Sequence, residues 1–268
     1  MAKTPAAASP ASPVSGNLLF YTSPEPLSRD VHSGLGVKQL EKPFAFAAKG
    51  HVVPITVAEF TFASISYPII FAGAERLPLA VMGINTDENL FVEADGAFAL
   101  GNYVPAYIRR YPFVLASDDT QQRMVVCIER SASLFDEKAK ADVSLFNDDG
   151  EASDYTQNAI KFCEDFEGER RRTEAFIKLL NDLDLFEQRE SIFNMPKDDG
   201  TVEQVKLAEY FAVSEAKLGA LPADKLAELR DNGALEKIYN HLTSLIAWDR
   251  LVAIASDRAN RLANAAAA

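Results

Sequence analysis

Leu77-Pro78-Leu79-Ala80-Val81-Met82-Gly83-Ile84 is a continuous apolar run, Asn85–Asn89 is polar, and Leu90-Phe91-Val92 is apolar again before Ala94-Asp95-Gly96. An apolar run this short, bounded by turn residues, predicts a strand covered on both faces. The polar break predicts a turn, Leu90–Val92 a second strand, and Ala94–Gly96 a hairpin-type turn. Strand, turn, strand in the middle of the chain makes the first half a sheet.

Upstream, Leu18–Tyr21 is expected as a short strand broken by Ser23-Pro24-Glu25-Pro26. Phe44–Ala47 alternates as a strand would. Thr56-Val57-Ala58-Glu59 is a capping box, in which Glu59 reaches back to the Thr56 amide, and it predicts two to three helical turns through Phe60 and Ile65. Ile69–Phe71, after Pro68, is rich in β-formers.

Downstream, Gly101–Phe113 holds three tyrosines, two prolines and the adjacent pair Arg109 and Arg110. Pro105 and Pro112 lack amide protons, so the stretch is a loop, a bulged edge strand or a short helix pinned between two fixed φ angles. Arg123–Glu129 is a strand, and Leu145-Phe146 is a short strand ending in Asn147–Gly150. Beyond this the period becomes helical. Ala159, Cys163, Phe166, Phe176, Leu180 and Leu183 place a helix within residues 153–183. Residues 191–195 and 202–212 form a hairpin around Lys197–Gly200. Ser214 is expected to cap a helix, and Asn232-Gly233 to end one. Leu235, Ile238, Leu242, Leu245 and Ile246 form the stripe of one long final helix. Strands first and helices second give an α+β fold with a mixed or antiparallel sheet, not alternating βαβ units. The expected organisation is an Ala/Ser/Pro tail over residues 1–16, a single α+β domain over 17–258, and an Ala/Asn tail over 259–268.

The 268 residues carry a formal charge of −12, with 39 acidic against 27 basic side chains. Such a chain is repelled by nucleic acid and by anionic membranes. Arg170-Arg171-Arg172 sits among Glu164, Asp165, Glu167 and Glu169, so it reads as a solvated helix face. No segment approaches the ~20 apolar residues of a membrane span, and the first residues lack the apolar core of a secretory signal. Two separate cysteines, Cys127 in a strand and Cys163 in a helix, read as buried thiols in a reducing compartment. Hence a cytoplasmic location is expected, with signal-independent export to the cell surface as the alternative.

Motifs for chemistry are sparse. The three histidines, His32, His51 and His241, are far apart, and neither metal nor cofactor is called for. A nucleophile elbow, a P-loop and a dinucleotide fingerprint are absent. Cys127 with His51 is a formal nucleophile–base pair, against which stands Cys127 as core. His241 is expected to pack against Leu245 and Trp248, with Trp248 and Tyr239 in the core. The catalytic set is therefore unassigned, and the candidate contact residues are Tyr103, Tyr107, Arg109, Arg110 and Tyr111, joined by His51 and Glu59. A guanidinium here can clamp a carboxylate or phosphate through two parallel bonds, with the phenols stacking or donating. The same residues can equally stabilise an irregular loop.

The run Tyr103-Val104-Pro105-Ala106-Tyr107-Ile108-Arg109-Arg110-Tyr111-Pro112-Phe113 resembles the bacterial SapC family. So do His51–Phe60, Tyr67–Phe71, Leu77–Gly83, Asn89–Val92, Leu145-Phe146 with Asp149–Glu151, Phe211–Val213 with Lys217-Leu218, and Ile238–Leu245. The likeness spans about residues 18–250. It implies a link to bacterial surface layers, and an association with TonB-dependent outer-membrane uptake and with halogenase-like and cupin-like proteins. It brings no catalytic set. The peptide-transporter permease of the same name is a different protein, whose membrane spans this chain lacks. The resulting expectation is a non-enzymatic accessory protein that binds a protein or peptide partner and can self-associate. The alternative is an enzyme, or an enzyme's partner, acting on a peptide or small anionic metabolite.

Overall fold

A computed structural model describes residues 18–118, 123–196 and 202–267. The expected N-terminal tail and the Lys197–Gly200 turn fall outside these. The chain forms two compact units. The first combines the described residues up to Leu40 with Arg110–Asp165, and the second combines Glu41–Arg109 with the described residues from Phe166 onward.

In chain order, β1 (Pro24–Pro26), α1 (Arg29–His32) and β2 (Leu35–Val37) open the first unit. The second unit then receives β3 (Val52–Pro54), α2 (Phe60–Ala63), β4 (Ile69–Ala72), β5 (Leu77–Val81) and α3 (Ala106–Arg109). The chain returns to the first with β6 (Phe113–Asp118), β7 (Arg123–Glu129), β8 (Phe135–Glu137) and β9 (Val143–Ser144). Helix α4 (Asp154–Asp182) begins in the first unit and continues into the second. There follow β10 (Phe186–Pro196), β11 (Val202–Val213), α5 (Glu215–Gly219), α6 (Ala223–Asp231), α7 (Ala234–Ser244) and α8 (Ala247–Ala267).

The first unit has two antiparallel three-stranded sheets, β1-β7-β6 and β8-β2-β9. The β6–β7 hairpin is buried on both faces, and the period of two assigns them. Phe113 and Ile128 join Leu145, Phe146 and Cys163 on one side. Val114, Ala116 and Cys127 join Tyr21 on the other. The second unit has one antiparallel sheet, β10-β11-β4-β5-β3. Aromatic edges knit its core: Phe71 meets Phe186 and His241, both at 4.9 Å between ring centres, and Phe60 meets Phe176 at 6.1 Å. Gly83, just past β5, has no room for a side chain, since a Cβ would collide with the Glu88 carbonyl. Residues Arg123–Glu129 and the α4 span match their sequence readings, so the α+β class holds.

Several local expectations are corrected. Leu18–Tyr21 is a turn, with Phe20 at φ 73°, and Tyr21 OH donates to the Phe113 carbonyl at 2.7 Å. Pro24–Pro26, expected to break a strand, is itself the edge strand β1, where prolines leave no ladder donor missing inside the sheet. Ala45–Ala47 is a 3-10 turn rather than a strand. Leu90–Val92 forms no named strand and makes an isolated Val92–Phe98 bridge; buried Asn89 bonds the Ala47 carbonyl and the Phe91 amide and holds the segment as a loop. The final stripe is two helices, α7 and α8. Tyr239 is exposed, on the far side of α7 from buried Ile238 and His241. Ser214 precedes α5 without a side-chain cap. Helix α8 continues to Ala267 through the alanine-rich end, since alanine is the best helix former.

Candidate functional site

Glu59 is the buried anchor of the second unit's candidate site. Its Oε2 accepts from the Thr56 amide at 2.7 Å and the Thr56 hydroxyl at 2.9 Å, so the capping box is built as the sequence predicts. Its Oε1 is used elsewhere. It accepts from the Ala106 amide at 2.7 Å and from Tyr103 OH at 3.1 Å. Ala106 is the first residue of α3, so one carboxylate holds the amide ends of two helical turns, where negative charge is favoured.

Tyr103 is fixed from every side. Its amide donates to Ser66 Oγ at 3.2 Å, and its carbonyl accepts from Tyr67 OH. Its ring stacks on Phe62 with centres 5.8 Å apart. Arg109 comes back over it, with Nη2 donating to Tyr103 OH at 3.0 Å, Nε donating to the Val104 carbonyl at 3.0 Å, and Cζ 5.6 Å from the ring centre. Burial, reinforced by the Glu59 carboxylate, pushes the Tyr103 phenol up to about 12, against the pull of Arg109. The phenol therefore stays protonated and donates to Glu59. Burial drives the Tyr67 phenol upward as well.

The remaining candidates divide. Tyr107 is buried and its ring meets Phe166 edge-on at 6.2 Å. His51 supplies its backbone carbonyl to the Met82 and Gly83 amides, and no bond of its ring to Glu59, Tyr103 or Arg109 is found among the described residues. Arg110 and Tyr111 belong to the first unit. Arg110 is buried, with Cζ 5.8 Å from the Tyr21 ring centre, and Tyr111 packs against Tyr21 at 5.5 Å. Burial, with help from Glu129, pushes the Tyr111 phenol up to about 12. Of the paired arginines, only Arg109 offers an exposed side chain.

Three residues of this surface were missed by the sequence reading. Phe62 is exposed on α2, and helical spacing after the capping box places it opposite buried Phe60 and Ala63. Arg250, at the start of α8, donates to the Ile65 carbonyl at 2.9 Å and to Asn102 Oδ1 at 2.7 Å. No sequence signal points to Arg250 or Asn102. Glu129 of the first unit was also missed. It is buried and accepts from the Thr22 and Ser23 amides and from Ser131. Burial raises its pKa, but these bonds outweigh it and hold the carboxyl below its ordinary range.

Among the described residues, the clefts of the second unit include these two. One of about 570 Å³ runs between Val57-Ala58, α4 and the start of α7. The other, about 530 Å³, lies between Lys42, residues 88–96 and α8. Neither is lined by Tyr103, Tyr107, Arg109, His51 or Glu59. Among the described residues no three His, Cys, Asp or Glu side chains converge to hold a metal, and no helix is long and apolar enough to cross a membrane.

The model of the SapC family matches residues 27–251. No curated protein and no solved structure matches the chain.

Proposed function

The chain belongs to the SapC family, and from that premise we propose that it is an accessory protein that binds a protein or peptide partner through the Tyr103–Arg109 face. One observation carries the reading: an aromatic–guanidinium surface of Phe62, Tyr103 and Arg109 is fixed in place by a buried carboxylate beneath it. Tyrosine and arginine are the residues in which binding energy concentrates at interfaces. Prior ordering lowers the entropic cost of docking. The family association directs the search to components of surface-layer or outer-membrane uptake systems. A cytoplasmic setting is supported by two buried free thiols, Cys127 and Cys163, each pushed up to about 11 by burial. The enzymatic alternative draws no support from the two clefts, whose linings lack the candidate residues.

The test is affinity capture from the native cell, comparing the wild-type chain with Arg109→Ala. Arg109 is exposed, so the variant keeps its far-ultraviolet circular dichroism while a partner identified by mass spectrometry is lost or reduced about tenfold, the scale of a hot-spot truncation. Equal capture by both proteins overturns the assignment.

A further inference from the structure

Arg250 stands out in an acidic chain. Its guanidinium is exposed, and both of its hydrogen bonds go to neutral oxygens, the Ile65 carbonyl and Asn102 Oδ1. It enters no ion pair among the described residues, although the chain carries 39 acidic side chains against 27 basic ones. A guanidinium has five N–H donors in a planar fork. Two are spent holding it still, and the others remain for a carboxylate.

The surface around it is apolar. Ile65, whose carbonyl it holds, is 72% exposed, and Phe62, one turn earlier, is 59% exposed. Leu100 is 102% exposed at the turn made by Gly101 (φ 79°), and Asn102 Nδ2 donates to the carbonyls of Ala99 and Leu100, which fixes that turn. Ile246, four residues before Arg250, is 74% exposed. Phe62 and Asn102 are tied together through Tyr103, which stacks on the first and follows the second. The two Arg250 bonds and the Phe62–Tyr103 stack thus bring α2, the Leu100–Asn102 turn and the start of α8 together in the second unit.

We infer that this patch is the docking site for an acidic peptide segment of the partner, in which a carboxylate flanked by apolar side chains meets Arg250 while its neighbours cover Phe62, Ile65 and Leu100. The inference rests on the interaction reading above and specifies its chemistry. Charge complementarity selects the occupant, since an uncompensated fixed guanidinium inside an apolar surround rewards a carboxylate and rejects a cation.

The probe is a displayed library of random dodecapeptides, selected on the full wild-type chain. Selected peptides are synthesised and titrated by fluorescence anisotropy against wild type, Arg250→Gln and Leu100→Ser. The expected peptides carry Asp or Glu beside Leu, Ile or Phe, and both variants weaken them about tenfold. Leu100 is fully exposed, so Leu100→Ser keeps the test intact if loss of the Arg250 bonds disturbs the fold. Selected peptides that lack acidic residues, or that bind all three proteins equally, overturn the acidic docking site and leave the interaction reading standing. A selection that yields no peptide counts against both. Concentration-dependent dimerisation in sedimentation, abolished by Leu100→Ser, overturns the inference in favour of a second copy.

Discussion

A carboxylate offers about four lone-pair sites, and Glu59 fills four, with the Thr56 amide and hydroxyl on one oxygen and Tyr103 OH and the Ala106 amide on the other. Glu59→Gln replaces one acceptor by a donor that faces a buried amide, at either Thr56 or Ala106. The expected loss is about 2–3 kcal/mol of unfolding free energy, the cost of leaving such a group unpaired together with weakened charge-assisted bonds. Urea denaturation measures it, and a change below about 0.5 kcal/mol would remove Glu59 from its anchoring role. The pattern Thr-x-x-Glu showed half of this arrangement in advance. The other half was hidden, because the Tyr103 and Ala106 donors arrive from a segment more than forty residues away that no local spacing connects. Arg109 and Arg110 were indistinguishable for a related reason. Arg109 ends α3 and is exposed, whereas Arg110, in the turn that follows, is buried, and sequence alone does not fix where so short a helix stops.

Among the elements, those legible in advance were set by local chemistry. Strand β7 follows its unbroken apolar run Met124–Ile128, α4 its long period, and the α6–α7 turn its Asn232-Gly233, with Gly233 at φ 78°. The misjudged elements were set by distant partners. The apolar stripe of α7 and α8 is continuous, yet the helix breaks after Ser244. Ser244 Oγ donates to the His241 carbonyl at 2.6 Å and accepts from the Ile69 amide at 2.9 Å. The following amides of Leu245, Ile246 and Trp248 bond three residues back rather than four, which tightens the chain before α8 begins. A serine side chain thus caps the start of β4, and the stripe carries no trace of that task. Ser244→Ala leaves the buried Ile69 amide without its acceptor, for an expected cost of about 1–3 kcal/mol. Differential denaturation against Thr243→Ala, on the exposed side of the same turn, checks it. Equal effects of the two substitutions would show that Ser244 does not hold the strand.

For the molecule as a whole, the pH dependence of stability follows from one buried ring. His241 is fully buried where α7 meets β4 and β11. Its Nε2 accepts from the Val213 amide at 3.1 Å, and its Nδ1 donates to the Ile69 carbonyl at 2.9 Å, so the neutral Nδ1–H tautomer satisfies both neighbours. A second proton would set N–H against N–H in a dry core. Burial therefore lowers its pKa from 6.5 to about 4; the Ile69 bond opposes the shift and the Arg189 charge adds to it. In the unfolded chain the ring titrates near its ordinary value. Between the two values the unfolded state binds the extra proton, so His241's contribution is complete above about pH 6.5, declines as the pH falls, and is lost by about pH 4. At about 1.36 kcal/mol per unit, the loss amounts to at most about 3.4 kcal/mol. Many of the chain's carboxylates titrate toward the lower end of that window, so the measurable quantity is a difference. His241→Gln lowers stability at neutral pH, because it disturbs the bonds to Val213 and Ile69. It also flattens the decline between about pH 6.5 and pH 4.5, where the carboxylates change least and histidine changes most. Urea midpoints of wild type and variant across that window decide the matter, and parallel curves would mean that the ring is protonated in the folded protein.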